Sequence, residues 1–323
     1  MKAIVRTKFG SPDVLSLEDI ERPELTDDGV LVRVRATSVN PADWYGLYGT
    51  PLIARPTMGF SKPKTMTIGT DYAGTVEAIG RDVTQFRVGD DVFGGRDGAF
   101  AEYVCVREER AIVPKPTSVT MEQAGSVGVA ALTALQGLRD KGQVQPRQRV
   151  LINGASGGVG TFAVQLAKWL GAEVTAVCST RNVDLVRSLG ADQVIDYTKD
   201  DFTRSEQRYD VLFDIAGSRS WSDCRRVLNK SAKLVMVGAP KGTRLLGPIS
   251  HLLRLKMASI GSRRKVTFFV AKFNKADLTV LADLLATGKV TPVIDRTYQL
   301  SETADAMRYL GEGHAQGKIV ITV

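Results

Sequence analysis

Hydrophobic and polar positions divide this chain into two textures. Over the first 120 residues, short apolar runs at 2–6, 30–35, 72–79, 91–93 and 101–106 each predict a strand. Gly and Pro separate them at Asp28-Gly29, Asn40-Pro41, Gly80, Val88-Gly89-Asp90 and Lys115-Pro116, where the backbone must turn. Residues 123–138 are small and apolar enough for a buried helix. From Arg149 onward the pattern alternates. Residues 149–153, 173–178, 193–196, 211–215 and 233–237 predict strands. Between them, 159–170 carries apolar residues at 159, 162, 163, 166, 167 and 170, the spacing of one helical face, and 183–189 and 221–228 also predict helices. Such alternation predicts parallel βαβ units and a doubly wound sheet, an α/β fold. Further on, 278–286 and 302–310 predict helices and 318–323 a closing strand.

Composition narrows the class. The 323 residues suit two domains at ~100–200 residues each. With 43% hydrophobic and 24% charged residues the chain forms cores, which excludes a disordered or collagen-like protein. No apolar run approaches the ~18–20 residues of a membrane span. The chain starts on strand-like residues, and its three cysteines (Cys105, Cys178, Cys224) are odd in number and far apart; both suit a reducing, cytoplasmic setting. Only two histidines, His251 and His314, are present, which argues against a transition-metal centre.

The net charge of +8 is concentrated. Residues 224–276 hold thirteen Lys or Arg and no acid, leaving 30 bases against 35 acids, a net of −5, elsewhere. This segment suits a solvated face with a loop over the substrate cleft, a field attracting a polyanionic cofactor, or weak peripheral contact with an anionic membrane. Nothing resembles a nucleic-acid-binding module, so no nucleic-acid partner is expected.

The strongest local signal is Asn153-Gly154-Ala155-Ser156-Gly157-Gly158-Val159-Gly160, which follows a predicted strand and opens a predicted helix. That context is the one a dinucleotide fingerprint requires. Gly157 lets backbone approach a pyrophosphate, and Gly160 lets helix pack closely on strand. The amides around Ser156, Gly158 and Val159 would face the phosphates. Ala155 stands where the pattern has its first Gly. At the end of the next strand an NAD site carries an acid, but here the chain reads Cys178-Ser179-Thr180-Arg181. Ser179 and Arg181 suit a 2′-phosphate, with Tyr197 as a further donor, so NADPH is expected. Ser179 and Thr180 equally suit a helix cap.

Taken in order, Ser38-Val39-Asn40-Pro41-Ala42-Asp43, Gly69-Thr70-Asp71-Tyr72-Ala73-Gly74, Val88-Gly89-Asp90-Asp91-Val92-Phe93 and Gly154 to Gly160 resemble a zinc-independent medium-chain dehydrogenase/reductase of the NADPH:quinone oxidoreductase type. The ending Gly313-His314-Ala315-Gln316-Gly317-Lys318 is similar to the branch of chloroplast-envelope quinone oxidoreductase homologues and mitochondrial reticulon-interacting oxidoreductases. The resemblance implies a GroES-like β-rich substrate domain (1–121 and 272–323) and an inserted Rossmann cofactor domain (122–271). It also implies an active site in the interdomain cleft and a homodimer. Zinc members carry a Cys near 40–43, a His-Glu pair where this chain has Thr70-Asp71, and a four-Cys lobe. None of these is present here, so no zinc is expected.

Without a Lewis acid, alcohol oxidation loses its usual engine, and reduction of an already polarised acceptor is favoured. The expected substrate is a small lipophilic quinone or an α,β-unsaturated carbonyl. Asn40 is the candidate donor to an oxyanion or to the nicotinamide, although Asn-Pro also suits a plain turn. Asp43 would brace that loop. Trp44, Tyr45 and Tyr48 suit a flat wall for a planar acceptor, with Tyr45 as candidate proton donor, or else packing against the neighbouring strands. Thr133 resembles a family Thr beside the nicotinamide ribose. The alternative function is a non-catalytic NADPH-binding structural or interaction protein.

Overall fold

A computed structural model describes residues 1–238 and 248–323. The chain forms two compact units, Met1–Leu132 with Lys272–Val323, and Thr133–Ala271. In the first, β1 (Lys2–Val5) and β2 (Ser16–Asp19) make a small antiparallel pair. Then β3 (Gly29–Ser38) leads into α1 (Pro41–Tyr48) and the short α2 (Arg55–Met58). The strands β4 (Asp71–Ile79), β5 (Asp91–Gly95), β6 (Tyr103–Arg107) and β7 (Ile112–Pro114) follow.

The single helix expected over 123–138 is instead α3 (Met121–Gly125) and α4 (Gly128–Gln136), broken between them and followed by a π-helical turn, Gly137–Gly142. The expected domain boundary falls before 122, whereas the first unit runs on to Leu132, because α3 packs on β3 and β4.

The second unit alternates as its periodicity requires. Its elements are β8 (Arg149–Asn153), α5 (Gly158–Trp169), β9 (Glu173–Cys178), α6 (Val183–Ser188), β10 (Gln193–Asp196) and β11 (Tyr209–Asp214). They continue with α7 (Trp221–Cys224), β12 (Leu228–Met236), α8 (Pro248–Ala258) and β13 (Lys265–Phe268). All six strands are parallel, in the order β10-β9-β8-β11-β12-β13. This is the 3-2-1-4-5-6 order of a Rossmann sheet, whose direction reverses between β8 and β11. A core of Leu151, Val177, Tyr209, Leu212, Trp221, Leu234 and Leu255 packs against it.

The chain then returns through α9 (Lys275–Ala286), β14 (Ile294–Gln299), α10 (Thr303–Glu312) and β15 (Lys318–Thr322). The return places β15 antiparallel to β3 and completes a sheet of order β14-β15-β3-β4-β5-β7, with β6 also on β3. The first unit is therefore the GroES-like, β-rich one, closed by both ends of the chain. No helix among the described residues is long and apolar enough to cross a membrane.

Candidate active site

At the switch point of the parallel sheet the ends of β8 and β11 are tied together. Asn153 Nδ2 donates to Asp214 Oδ1 at 2.8 Å, and Gly217 N donates to the same oxygen at 2.8 Å. Burial raises the Asp214 carboxyl above its usual range. Sequence reading missed Asp214, which sits at the end of a predicted strand and shows its role only through its contacts.

The turn after β8 has φ +88° at Gly154, which favours glycine. A Cβ on Gly160 would lie 2.2 Å from Gly154 O, so that glycine is required by helix-on-strand approach. Gly157 differs. Its φ is −82°, and a Cβ there would meet nothing nearer than Gly154 O at 3.7 Å. The protein's own packing gives no reason for glycine at 157, whereas space reserved for a ligand does. Gly157 is also the N-cap of the twelve-residue α5 and supplies no side-chain cap, with no acid in the first turn. The helix start at Gly158 and Val159 thus offers amide donors and positive potential to an anion.

Ser156 in this turn and Ser179 after β9 are both half-buried and both bonded to Asn182, whose Nδ2 lies 2.8 Å and 3.2 Å from their hydroxyl oxygens. Neither Ser179 nor Asn182 makes a side-chain helix cap, so capping does not account for these residues. Thr180, on the surface, donates to Asp196 Oδ2 at 2.5 Å. Asp196 is an acid that the absence of a carboxylate in 178–181 does not reveal, because it arrives on the adjacent strand β10, paired with Cys178. Its carboxyl is held down to about 2, first by the Thr180 hydroxyl and also by Thr198, with Lys199 Nζ 3.7 Å away. Arg181 and Tyr197 are exposed beside it, and Thr133 is half-buried in α4. The turn, the uncapped helix and the serine pair fit a dinucleotide carrying phosphates.

In the first unit Asn40 and Asp43 begin a helix rather than a loop. Pro41 is the first helical residue, where its missing N–H is harmless, and Asp43 Oδ2 accepts the Asn40 N–H at 2.8 Å. Asn40 is 1% exposed. Its Nδ2 donates to Asp71 Oδ2 at 2.9 Å and to Ser38 O at 3.2 Å, and its Oδ1 accepts from Lys318 Nζ at 2.5 Å. The expected role as an oxyanion donor therefore does not hold in this arrangement, because both amide hydrogens are taken within the protein.

Asp71 is the centre of the cluster. It accepts from Ser38 Oγ at 2.7 Å and from Val129 N, in the first turn of α4, at 2.7 Å, and it lies 3.3 Å from Lys318 Nζ. Asp43 is bonded by Thr70 Oγ1 at 3.1 Å. Burial, and then repulsion from Asp71, raise the Asp43 carboxyl to about 7. Sequence reading missed Lys318, whose partners lie 278 and 247 residues away.

Trp44, partly buried, packs on the core of Leu47, Ala306 and Met307, with Leu310 alongside. Its ring is 4.1 Å from that of Tyr48 and edge-on to Tyr45 at 5.5 Å. Burial raises the Tyr45 hydroxyl, keeping it protonated at neutral pH.

No group of His, Cys, Asp and Glu among the described residues has the makeup of a metal site. Where the resemblance sets zinc ligands, the chain carries Asn40, Thr70 and Asp71, and the Asp71 carboxylate is paired with the buried Lys318 ammonium. All three cysteines are free, and burial pushes the Cys178 thiol up to about 11 and the Cys224 thiol up to about 12, away from thiolate chemistry.

Residues 26–117 match the family described as "Alcohol dehydrogenase GroES-like domain", and residues 189–321 that described as "Zinc-binding dehydrogenase". The mouse (Mus musculus) protein "NAD(P)H oxidoreductase RTN4IP1, mitochondrial" is 34% identical over 100% of this chain and 89% of its own. From Arabidopsis thaliana, "NADPH-dependent alkenal/one oxidoreductase, chloroplastic" is 34% identical over 99% and 79%. The solved quinone oxidoreductase from Coxiella burnetii superposes with a TM-score of 0.86 at 31% identity, covering 100% of this chain and 99% of that one. With a GroES-like unit, a Rossmann unit built for a dinucleotide and relatives matched along their length, the chain belongs to the medium-chain dehydrogenase/reductase family, in its quinone-oxidoreductase type, as an oxidoreductase with a nicotinamide cofactor.

Proposed function

We propose that this protein is an NADPH-dependent reductase that delivers hydride, without zinc, to a quinone or to the C=C of an α,β-unsaturated carbonyl. The observation that carries the reading is the buried Asn40–Asp71–Lys318 cluster. An ammonium already neutralises the carboxylate there, and the same ammonium occupies the Asn40 amide oxygen. This supports an acceptor that needs no Lewis acid, which a conjugated carbonyl is.

Bound NADPH supplies the hydride. The turn 154–157 and the start of α5 would hold its pyrophosphate, and Ser179, Arg181 and Tyr197 would hold its 2′-phosphate, with the Asp196 carboxylate engaged by Thr180, Thr198 and Lys199. Thr133, by the family resemblance, would stand beside the ribose. Asn40 acts as a positioning residue, fixing the start of α1 so that Tyr45 and Tyr48 are presented from a rigid helix. Protonated Tyr45 gives its proton to the anion that hydride addition leaves on the acceptor.

Steady-state NADPH oxidation against a panel of quinones, alkenals and alkenones tests this. Turnover with NADPH on at least one acceptor class, by protein free of zinc on elemental analysis, is expected. Cofactor binding without turnover on any acceptor would favour the non-catalytic binding protein, and stoichiometric zinc would overturn the metal-free reading.

A homodimer fits β13, an edge strand that ends on Phe268, 48% exposed, with Val270, 76% exposed, just beyond it. Weak membrane contact is the further reading favoured by α8. Leu253 and Met257 are exposed one turn apart there, flanked by Arg254 and Lys256, and Ile260 is exposed just past the helix end. Lys241 and Arg244 of the same basic segment lie outside the described residues. Failure to sediment with anionic liposomes at low salt removes the membrane reading.

A further inference from the structure

We propose that Asn182 is a positioning residue for the cofactor: one amide group that aims two serine hydroxyls at two separate phosphates. The proposal rests on the NADPH reading above and deepens it. Asn182 occupies the N-cap position of α6, where an Asn side chain ordinarily accepts a backbone N–H, yet it makes no such bond. Its side chain turns the other way, into the protein, and the residue is 4% exposed. There Nδ2 places one hydrogen on Ser156 Oγ at 2.8 Å and the other on Ser179 Oγ at 3.2 Å.

The consequence follows from hydroxyl chemistry. A serine hydroxyl has one hydrogen to give and two lone pairs that accept. Once the amide has filled an acceptor position on each serine, each O–H is left to donate elsewhere. Among the described residues neither hydroxyl donates to a protein acceptor. The reverse amide orientation would have Oδ1 accept from both serines and turn both hydrogens inward. In the structure both amide hydrogens are used and Oδ1 is buried with no partner, which leaves the two serine O–H groups as the free donors of the set.

The two hydroxyls also belong to different parts of the cradle. Ser156 lies in the glycine-rich turn before α5, the pyrophosphate position, and Ser179 follows β9, the 2′-phosphate position. Phosphate oxygens accept and never donate at neutral pH, except when protonated, so outward-facing O–H groups match them. One amide therefore couples the feature common to both nicotinamide cofactors to the feature that separates them.

The test is calorimetric binding of NADPH, NADH and adenosine 2′,5′-bisphosphate to wild type, Asn182→Ala, Asn182→Asp, Ser179→Ala and the Asn182→Ala/Ser179→Ala double variant, with the thermal midpoint of each apoprotein. Asn182→Ala is expected to weaken NADPH about tenfold and NADH about threefold, lowering the preference about threefold. Asn182→Asp, which accepts from both serines and adds charge, should weaken NADPH more than the alanine variant does. Ser179→Ala added to Asn182→Ala should lower the preference no further.

Unchanged NADPH affinity in Asn182→Ala overturns the proposal, as does a loss shared equally by both cofactors, the mark of a merely structural role. If Asn182→Ala fails to fold, Asn182→Asp and Ser179→Ala decide in the same way. The NADPH reading has its own readout: equal wild-type affinities for NADPH and NADH would sink that reading, while the loss of NADH affinity in Asn182→Ala would still report the Ser156 arm.

Discussion

Around Asp71, side-chain polar groups are matched one to one: the carboxylate receives Ser38, Asn40, Val129 N–H and Lys318, and the Asn40 amide is filled on both its nitrogen and its oxygen. In the second unit, around the turn 154–157, the opposite holds. A glycine stands where a side chain would fit, a twelve-residue helix begins without a cap, and a buried amide oxygen has no partner. Both regions sit on motifs that the sequence singles out, but they differ in what they leave unfinished. A saturated cluster does its work by holding backbone in place. An unsaturated one is incomplete until a ligand supplies the missing groups.

The largest effect that sharpens this contrast is expected at Lys318. Lys318→Met leaves Asp71 buried without its cation and should destabilise the fold by about 3 kcal/mol in urea denaturation. A loss below about 1 kcal/mol would mean that Asp71 is satisfied by its neutral donors alone and that the cluster is not a unit.

The two glycines of the turn come next, since they separate packing from ligand space. Gly160→Ala forces a Cβ to within 2.2 Å of Gly154 O and should cost about 2 kcal/mol of stability along with cofactor affinity. The Gly157→Ala Cβ meets only Gly154 O, at an ordinary contact of 3.7 Å, so its stability loss should stay within about 1 kcal/mol while NADPH binding weakens at least about tenfold. If the two variants behave alike in both measurements, Gly157 is structural and the space above it is not reserved for a ligand.

A further effect appears only as a pH dependence. Asp43 titrates at about 7 in the folded protein against 3.8 as its ordinary value, so the folded state holds the proton more tightly. The Asp43 contribution to stability is full below about pH 4, declines as pH rises and is lost by about pH 7. Thermal midpoints of wild type minus Asp43→Asn across pH 4 to 8 should trace that decline. A flat difference would show that Asp43 is ionised throughout.

Much of this was legible in local pattern. The strands 173–178 and 193–196 stand where alternation puts them, and the glycine-rich turn is where a strand passes into a helix. The start of α1 was also written in the chain, by Pro41 at the first helical position and Asp43 two residues later, but Asn-Pro reads equally as a turn until the helix is seen. The strand β14 (Ile-Asp-Arg-Thr-Tyr-Gln) lacks any alternation, because its side chains are mostly half-buried or exposed. β13 is four residues inside a basic segment and gains its identity only by pairing with β12.

Sequence alone thus determined what depends on neighbours within a few residues: the periods of strand and helix, the turn glycines, and the absence of zinc-ligand residue types at 40 and 70. Tertiary structure decided which polar atoms meet. It brought Lys318 to Asp71 across 247 residues and Asp196 to Thr180 from an adjacent strand, and it turned Asn182 from a helix cap into a bridge between two serines. The physical reason is range. Backbone preference and hydrophobic period act over a turn or two of chain, whereas a hydrogen bond requires atoms about 3 Å apart, a condition that only the closed sheets impose.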